Sequence, residues 1–155
     1  MKVVKIIAVV LVLVAAVLIF VAPVGPLPGI FIGGTDTTVP ENWGDTSTRH
    51  EIKLEVQGSI PRVVTVWVIQ VDGVLHVVGS GKSGWVTMLG DGGPVRVRMD
   101  DKTYSLDAMR LSTGWQGILT AYADKYRADY PDIVNSFSKP EKAQASPAVF
   151  RLSKT

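Results

Sequence analysis

The chain has 155 residues, with no cysteine, 16 lysines and arginines, and 14 aspartates and glutamates. The absence of cysteine excludes disulfides, zinc sites with thiolate ligands and thiol catalysis. Lys2 and Lys5 account for the formal net charge of +2, so the rest of the chain is formally neutral. The sequence therefore predicts no nucleic-acid partner, because such partners require a strongly basic surface.

The N-terminal segment predicts a transmembrane anchor over residues 1–22. An uncharged apolar run extends from Ile6 to Ala22, which is roughly 26 Å of helix, and two lysines precede it. We expect residues 3–22 to lie in the lipid bilayer. A cleaved secretory signal is the alternative, but Phe20 stands where cleavage after Ala22 requires a small side chain.

The charges on either side of this run set the expected orientation. Both lysines flank its N-terminal end, and no lysine or arginine follows until Arg49. We therefore expect a single-pass cell-membrane protein with its N-terminus in the cytoplasm and its C-terminal domain outside. Residues 23–50 are rich in proline, glycine and threonine and predict a linker, in which segment 29–33 either lies on the membrane or tucks under the domain.

Residues 51–155 predict one small domain made mainly of strands. Apolar and polar residues alternate after Arg49, which predicts a first strand that ends at the turn of residues 58–61. A second strand begins at Arg62, and Asp72-Gly73 turns it into a third. This two-residue turn predicts that Val68 pairs with Val77 and that Ile69 pairs with His76.

The predicted hairpin has two apolar faces. One face predicts a core and holds Val64, Val66, Val68, Leu75 and Val77. The opposite face holds Thr65, Trp67, Ile69, His76 and Val78. Because this second face is too apolar to remain in water, we expect a helix, a second subunit or a ligand ring to cover it.

The C-terminal half predicts three more strands and a helix. A second hairpin with Asp101-Lys102 at its tip would pair Met99 with Tyr104 and Arg96 with Asp107. An amphipathic helix is predicted between Thr113 and Pro131, capped by Ser112 or Thr113. Residues 138–146 predict a loop, and residues 148–152 predict a closing strand. Six strands and one helix indicate a small antiparallel barrel or rolled sheet.

A glycine-rich loop, Gly79-Ser80-Gly81-Lys82-Ser83-Gly84, follows the third strand. The spacing resembles a dinucleotide-binding fingerprint, but no long helix and no parallel strand follow, so the surrounding pattern excludes that fold. Two interpretations remain, a flexible loop and a local anion-binding loop that uses Lys82 and backbone N–H groups.

Other chemistry is sparse in this sequence. His50 and His76 are the only histidines and have no carboxylates at ligand spacing, so no metal site is predicted. The serines lie in loops without a surrounding catalytic motif, and no catalytic residue is assigned.

The pattern over residues 51–153 resembles the split-barrel nitroreductase and quinone reductase family, which uses FMN or a deazaflavin. The resemblance is carried by residues 62–78, Gly84-Trp85, residues 94–98, residues 104–108 and the closing segment 147–152. It implies a six-stranded antiparallel split barrel with one amphipathic helix, preceded here by the transmembrane helix. It also implies a homodimer through the outer sheet face and a flavin-type cofactor held at the subunit junction.

The resemblance further implies which residues hold the cofactor. Arg62, Lys82 and Ser83 would lie near its phosphate, and the remaining cofactor-binding candidates are Trp67, His76, Ser80 and Trp85. The basic, glycine-containing segment that deazaflavin-using members carry between the first two strands is replaced by residues 58–61. Two hypotheses therefore stand, a membrane-anchored oxidoreductase and a non-catalytic binding domain outside the cytoplasm that has lost the cofactor site.

Overall fold

The computed structural model describes residues 2–21, 27–137 and 146–155. Helix α1 spans Lys2–Val21, where the apolar run predicted a helix, and its described side chains are exposed. Across the three described ranges, no helix has both the length and the apolar character that crossing a membrane requires. The membrane anchor therefore stays a prediction.

Residues 27–50 lie against the domain. The backbone N–H and C=O of Gly29 form hydrogen bonds of 2.8 Å with Val63, and Ile32 is buried. A short strand, β1 (Thr35–Asp36), follows. Within segment 29–33, Gly29 and Ile32 tuck under the domain, whereas Ile30 and Phe31 between them are exposed.

The sheet is a closed antiparallel barrel of six strands. Its strands are β2 (Glu51–Val56), β3 (Arg62–Val71), β4 (Val74–Ser80), β5 (Gly92–Met99), β6 (Lys102–Arg110) and β7 (Pro147–Ser153). They neighbour one another in the order β6-β5-β2-β3-β4-β7, and a further pairing of β6 with β7 closes the circle. β1 adds to the outside of β6 in parallel. The six-stranded antiparallel barrel predicted from the sequence is confirmed.

The first predicted hairpin has the predicted register. Val68 pairs with Val77 and Ile69 with His76. Asp72 and Gly73 have φ angles of 51° and 78°, the left-handed conformations that a tight hairpin turn of this kind requires. The predicted core face of this hairpin is confirmed, since Val66, Val68, Leu75 and Val77 are buried inside the barrel and Val64 packs against them.

The second predicted hairpin is shifted by two residues. Met99 pairs with Lys102 and Arg96 with Ser105, so Asp100-Asp101 forms the tip. Asp100 adopts a left-handed φ of 56°, which an aspartate tolerates better than most residues. The predicted pairing of Arg96 with Asp107 is therefore wrong.

Three helices besides α1 accompany the barrel strands in the described part of the chain. α2 (Gly84–Leu89) follows β4, α3 (Trp115–Tyr126) follows β6, and α4 (Pro131–Phe137) comes next. The predicted serine or threonine cap of α3 is wrong, because Gly114 occupies the cap position with a φ of 72° and no side chain caps the helix. The helix α4 was not predicted, and most of the predicted loop 138–146 lies outside the described residues.

Candidate functional site

Arg62, the first residue of β3, lies beside the start of α2. Its side chain is half-buried, and its guanidinium lies against the backbone of Gly84. A Cβ built on Gly84 would be 3.1 Å from both Cζ and Nη2 of Arg62. Only glycine at this position leaves the guanidinium its present place.

One nitrogen of the Arg62 side chain, Nε, is buried without a hydrogen-bond acceptor among the described residues. None of the ion pairs found in the described ranges involves Arg62 or Lys82. A buried donor on a charged group costs free energy when it stays unpaired, so this position favours an anionic acceptor.

The glycine-rich loop places Lys82 two residues before Gly84, the glycine against which the guanidinium of Arg62 lies. Ser83 donates its backbone N–H and its hydroxyl to the carbonyl of Ser80, both at 2.8 Å. The hydroxyl of Ser80 accepts the backbone N–H of Lys82 at 3.4 Å. These bonds make residues 80–83 a tied turn with Lys82 exposed at its tip, and they commit the Ser83 hydroxyl to the backbone.

Trp67, by contrast, lies under α3 of the same chain. Its ring stacks on that of Tyr126, with centroids 4.4 Å apart and planes at 15°, and the ring of Tyr130 is 4.6 Å away. Ile69 and Val78 are buried in the same cluster. Of the three covers expected for the outer face, the structure has the helix.

The packing of α3 on the outer face restricts the binding of a cofactor or a second subunit there. A cofactor ring or a second subunit on Trp67 would have to compete with the packed aromatic rings of α3. The assignments of Trp67 and His76 to a cofactor, and of this face to a homodimer, rest on the family resemblance alone and stay predictions.

His76 is buried in β4, between Ile69 on β3 and Arg151 on β7. Burial lowers the pKa of its imidazole, and the positive charge of Arg151 lowers it further. Its Nδ1 lies 3.1 Å from the carbonyl oxygen of Val74, which in the neutral ring assigns the proton to Nδ1. His76 is therefore a neutral, hydrogen-bonded sheet residue near neutral pH.

Trp85 belongs to the barrel core. It is buried, packs on Phe150 with ring centroids 5.5 Å apart, and lies against Gly79. The structure thus separates the predicted cofactor residues into four places. Arg62 lies beside the turn that holds Ser80, Lys82 and Ser83, while Trp67, His76 and Trp85 are in three other environments.

A cavity of ≈ 590 Å³ lies at another part of the surface, lined by Thr46, Gln70 and Lys125 among others. The Nζ of Lys125 donates to the carbonyls of Thr46, Arg49 and Val68 at 2.7–3.1 Å. Because these three bonds use all the ammonium protons, this lysine has none left for an anion in the cavity. Its role is to hold the segment before β2 against β3.

No group of three or more metal-ligating side chains occurs in the described part of the chain. Gly84, which lies against Arg62, was not among the cofactor-binding residues that the sequence predicted. Continuing the β3–β4 register from Val68 and Val77 towards the start of β3 brings Arg62 level with Ser83, and that extension was the available signal.

Comparisons with known proteins support the fold alone. No protein-family model matches the chain, and no curated protein matches it. The heme storage protein HutZ from Vibrio cholerae is similar in structure, with a TM-score of 0.51 and 14% identity over 69% of this chain and 82% of that one. An FAD and heme binding protein from Mycobacterium smegmatis aligns with a TM-score of 0.48 and 17% identity, over 69% of this chain and 62% of that one. The first alignment establishes a common split-barrel fold.

Proposed function

We propose that this protein binds a phosphate-bearing cofactor of the flavin type at Arg62 and Lys82, as an oxidoreductase of the nitroreductase and quinone reductase type. The observation that carries the proposal is the buried, unpartnered Nε of Arg62, whose guanidinium rests on Gly84. A phosphate oxygen would supply the missing acceptor, and Lys82 would add a second positive charge. FMN and a phosphorylated deazaflavin both carry such a group.

The residues fit the phosphate end of such a cofactor. A flavin-type ring would supply hydride chemistry when bound, and the chain's part would be to bind and orient it. Arg62 would fix the phosphate through charge-assisted hydrogen bonds, and Gly84 would keep the arginine in place. No acid or base is assigned.

Membrane attachment is part of the proposal. The described side chains of α1 are exposed and, apart from Lys5, apolar, among them Val9, Leu11 and Leu13. Apolar surface of this extent is unfavourable in water, so we propose that α1 holds the protein in the membrane with its domain outside the cytoplasm. Flotation of the full chain with lipid vesicles, compared with a chain lacking residues 1–22, tests this attachment.

The cofactor proposal is tested by titrating the detergent-solubilised full chain with FMN, a phosphorylated deazaflavin, and riboflavin, which lacks the phosphate. We expect FMN or the deazaflavin to bind more tightly than riboflavin. Arg62→Ala should weaken binding about ten- to hundredfold, as expected for one charge-assisted hydrogen bond. Arg110→Ala, an exposed arginine on β6, is the matched control and should leave binding unchanged.

A second candidate is a non-catalytic binding domain. The observation that favours it is the cover of α3 over Trp67, which occupies the outer face that the resemblance gives to the ring. The same titration separates the two candidates. Failure of FMN, deazaflavin and riboflavin to bind at millimolar concentration would favour the binding domain and contradict the oxidoreductase.

A further inference from the structure

We propose that one end of the barrel, here named the proximal end, rests on the surface of the bilayer that holds α1. The proximal end comprises residues 27–30, the turn 57–61 with Arg62, and residues 80–90. Its apolar side chains would enter the lipid interface, and Lys82, when it holds no cofactor phosphate, would lie among anionic headgroups. The inference rests on the membrane attachment proposed above.

The parts of the proximal end are contiguous. Gly29 is hydrogen-bonded to Val63, next to Arg62, and Arg62 lies on Gly84 at the start of α2. Met88 on α2 reaches back over the turn, because a Cβ on Gly58 would meet the Met88 methyl. One surface therefore includes the entry of the chain, the β2–β3 turn and α2.

More than half of the exposed large apolar side chains outside α1 lie at this end. Among the described residues after α1 there are seven such side chains, and four belong to the proximal end: Leu27, Ile30, Ile60 and Met88. The other three are Phe31, Met109 and Ile133. Such side chains are unfavourable in water and favourable at a lipid interface.

The segment between α1 and the barrel is so short that it keeps the proximal end near the membrane. Only residues 22–26 separate Val21, the last residue of α1, from Leu27. Six Cα-to-Cα steps span at most roughly 22 Å when fully extended. A barrel joined by so short a segment must lie close to the bilayer if α1 is embedded, and the part that lies closest is the one where the chain enters.

The charge distribution favours the same end. Residues 27–30, 57–62 and 80–90 contain no carboxylate and carry Arg62 and Lys82, and Asp91 follows directly after them. The turns at the opposite end carry Asp72, Asp100 and Asp101 against Lys102, and Arg49 pairs with Asp100. Anionic headgroups would therefore attract the proximal end more strongly than the opposite end.

The experiment labels single cysteines that are introduced by mutation. Because the chain has no cysteine of its own, the label attaches at one position only. Ile60→Cys marks the proximal end, and Lys102→Cys, an exposed position beside the opposite turn, is the matched control. Each full-length variant carries an environment-sensitive fluorophore and is reconstituted into phosphatidylcholine vesicles. Nitroxide groups near the headgroups of a fraction of the lipids quench fluorophores that lie at the interface.

We expect quenching at position 60 to exceed quenching at position 102 several-fold. Adding phosphatidylglycerol should strengthen quenching at position 60, and Lys82→Ala should remove this increase. Equal quenching at the two positions in a chain that floats with the vesicles would overturn the docking and leave the attachment intact. A chain that does not float would overturn both, and the flavin titration in detergent is independent of either result.

Discussion

The hydroxyl of Tyr126 on α3 accepts a hydrogen bond from the backbone N–H of Val68 on β3 at 3.0 Å. The same hydroxyl reaches the carbonyl of His50 at 2.6 Å, and the ring of Tyr126 is fully buried against Trp67. Burial raises the pKa of this phenol, so it stays protonated across the physiological range. One side chain thus joins the helix to two backbone positions on the barrel.

Replacing Tyr126 by Phe should destabilise the protein. The change leaves buried backbone groups with fewer partners and should cost about 1–3 kcal/mol of unfolding free energy. Urea unfolding of the detergent-solubilised chain, followed by circular dichroism, measures it. Tyr130→Phe is the control, because the hydroxyl of the half-buried Tyr130 forms no hydrogen bond with any residue that the structure describes, and it should change stability by less than about 0.5 kcal/mol. Equal losses in both variants would contradict the role given to the Tyr126 hydroxyl.

Gly84→Ala should weaken cofactor binding while the barrel stays folded. The added methyl group would lie 3.1 Å from the guanidinium of Arg62, so the guanidinium must shift by about a few tenths of an ångström. We expect a several-fold loss of FMN affinity, smaller than that of Arg62→Ala. Gly117→Ala on α3 is the matched control, since its added methyl meets nothing within 4 Å. Unchanged affinity in Gly84→Ala would remove Gly84 from the site.

The ion pair between Asp100 and Arg49 should make the stability of the protein fall at low pH. The carboxylate of Asp100 accepts hydrogen bonds from Arg49 at 3.0 and 2.7 Å, which hold its pKa below the usual value of 3.8. A lowered folded-state pKa gives stability that is present above pH 3.8 and is lost as pH falls through the folded value. Asp100→Asn, which keeps the left-handed preference of the position, should lower Tm at neutral pH.

The difference in Tm between this variant and the unmodified chain should shrink as the pH falls below 3.8. Asp101→Asn is the control, because no ion pair in the described part of the chain involves Asp101. A Tm difference that persists unchanged in acid would assign the effect to the turn backbone instead of the ion pair.

His76 should limit stability in mild acid. Because burial lowers its folded-state pKa below 6.5, the unfolded chain binds its proton first, and stability falls as pH drops below 6.5. Replacing His76 by Gln should flatten the decline of Tm between pH 7 and the folded-state pKa. His50→Gln serves for comparison, since His50 is half-exposed. A decline of the same slope in His76→Gln would mean that another group causes it.

Register was predictable for one hairpin and not for the other. In the first, Asp72-Gly73 combines two residues that accept positive φ, so the turn selected one pairing. In the second, the observed and predicted pairings differ by two residues, and a shift of two leaves every side chain on the same face. Hydrophobic alternation therefore could not distinguish them.

The partners of Arg96 show why such a shift matters for site prediction. With Asp107 displaced, Arg96 forms ion pairs with Asp36 on β1 and Glu55 on β2, at 2.7 and 3.4 Å. These partners are remote in sequence, and strand order alone brings them together. The same holds for Trp67, where the sequence indicated that a cover was required, but only the packing of α3 identified it.

The barrel is completed by its last strand. β7 pairs with β4 on one side and β6 on the other, so a chain that ends before Pro147 leaves two strands with open edges. Unpaired edges are templates for other chains. Proteolysis or termination before β7 should therefore yield aggregates in place of a slightly weakened monomer, and every nascent chain passes through this vulnerable state until β7 has emerged from the ribosome.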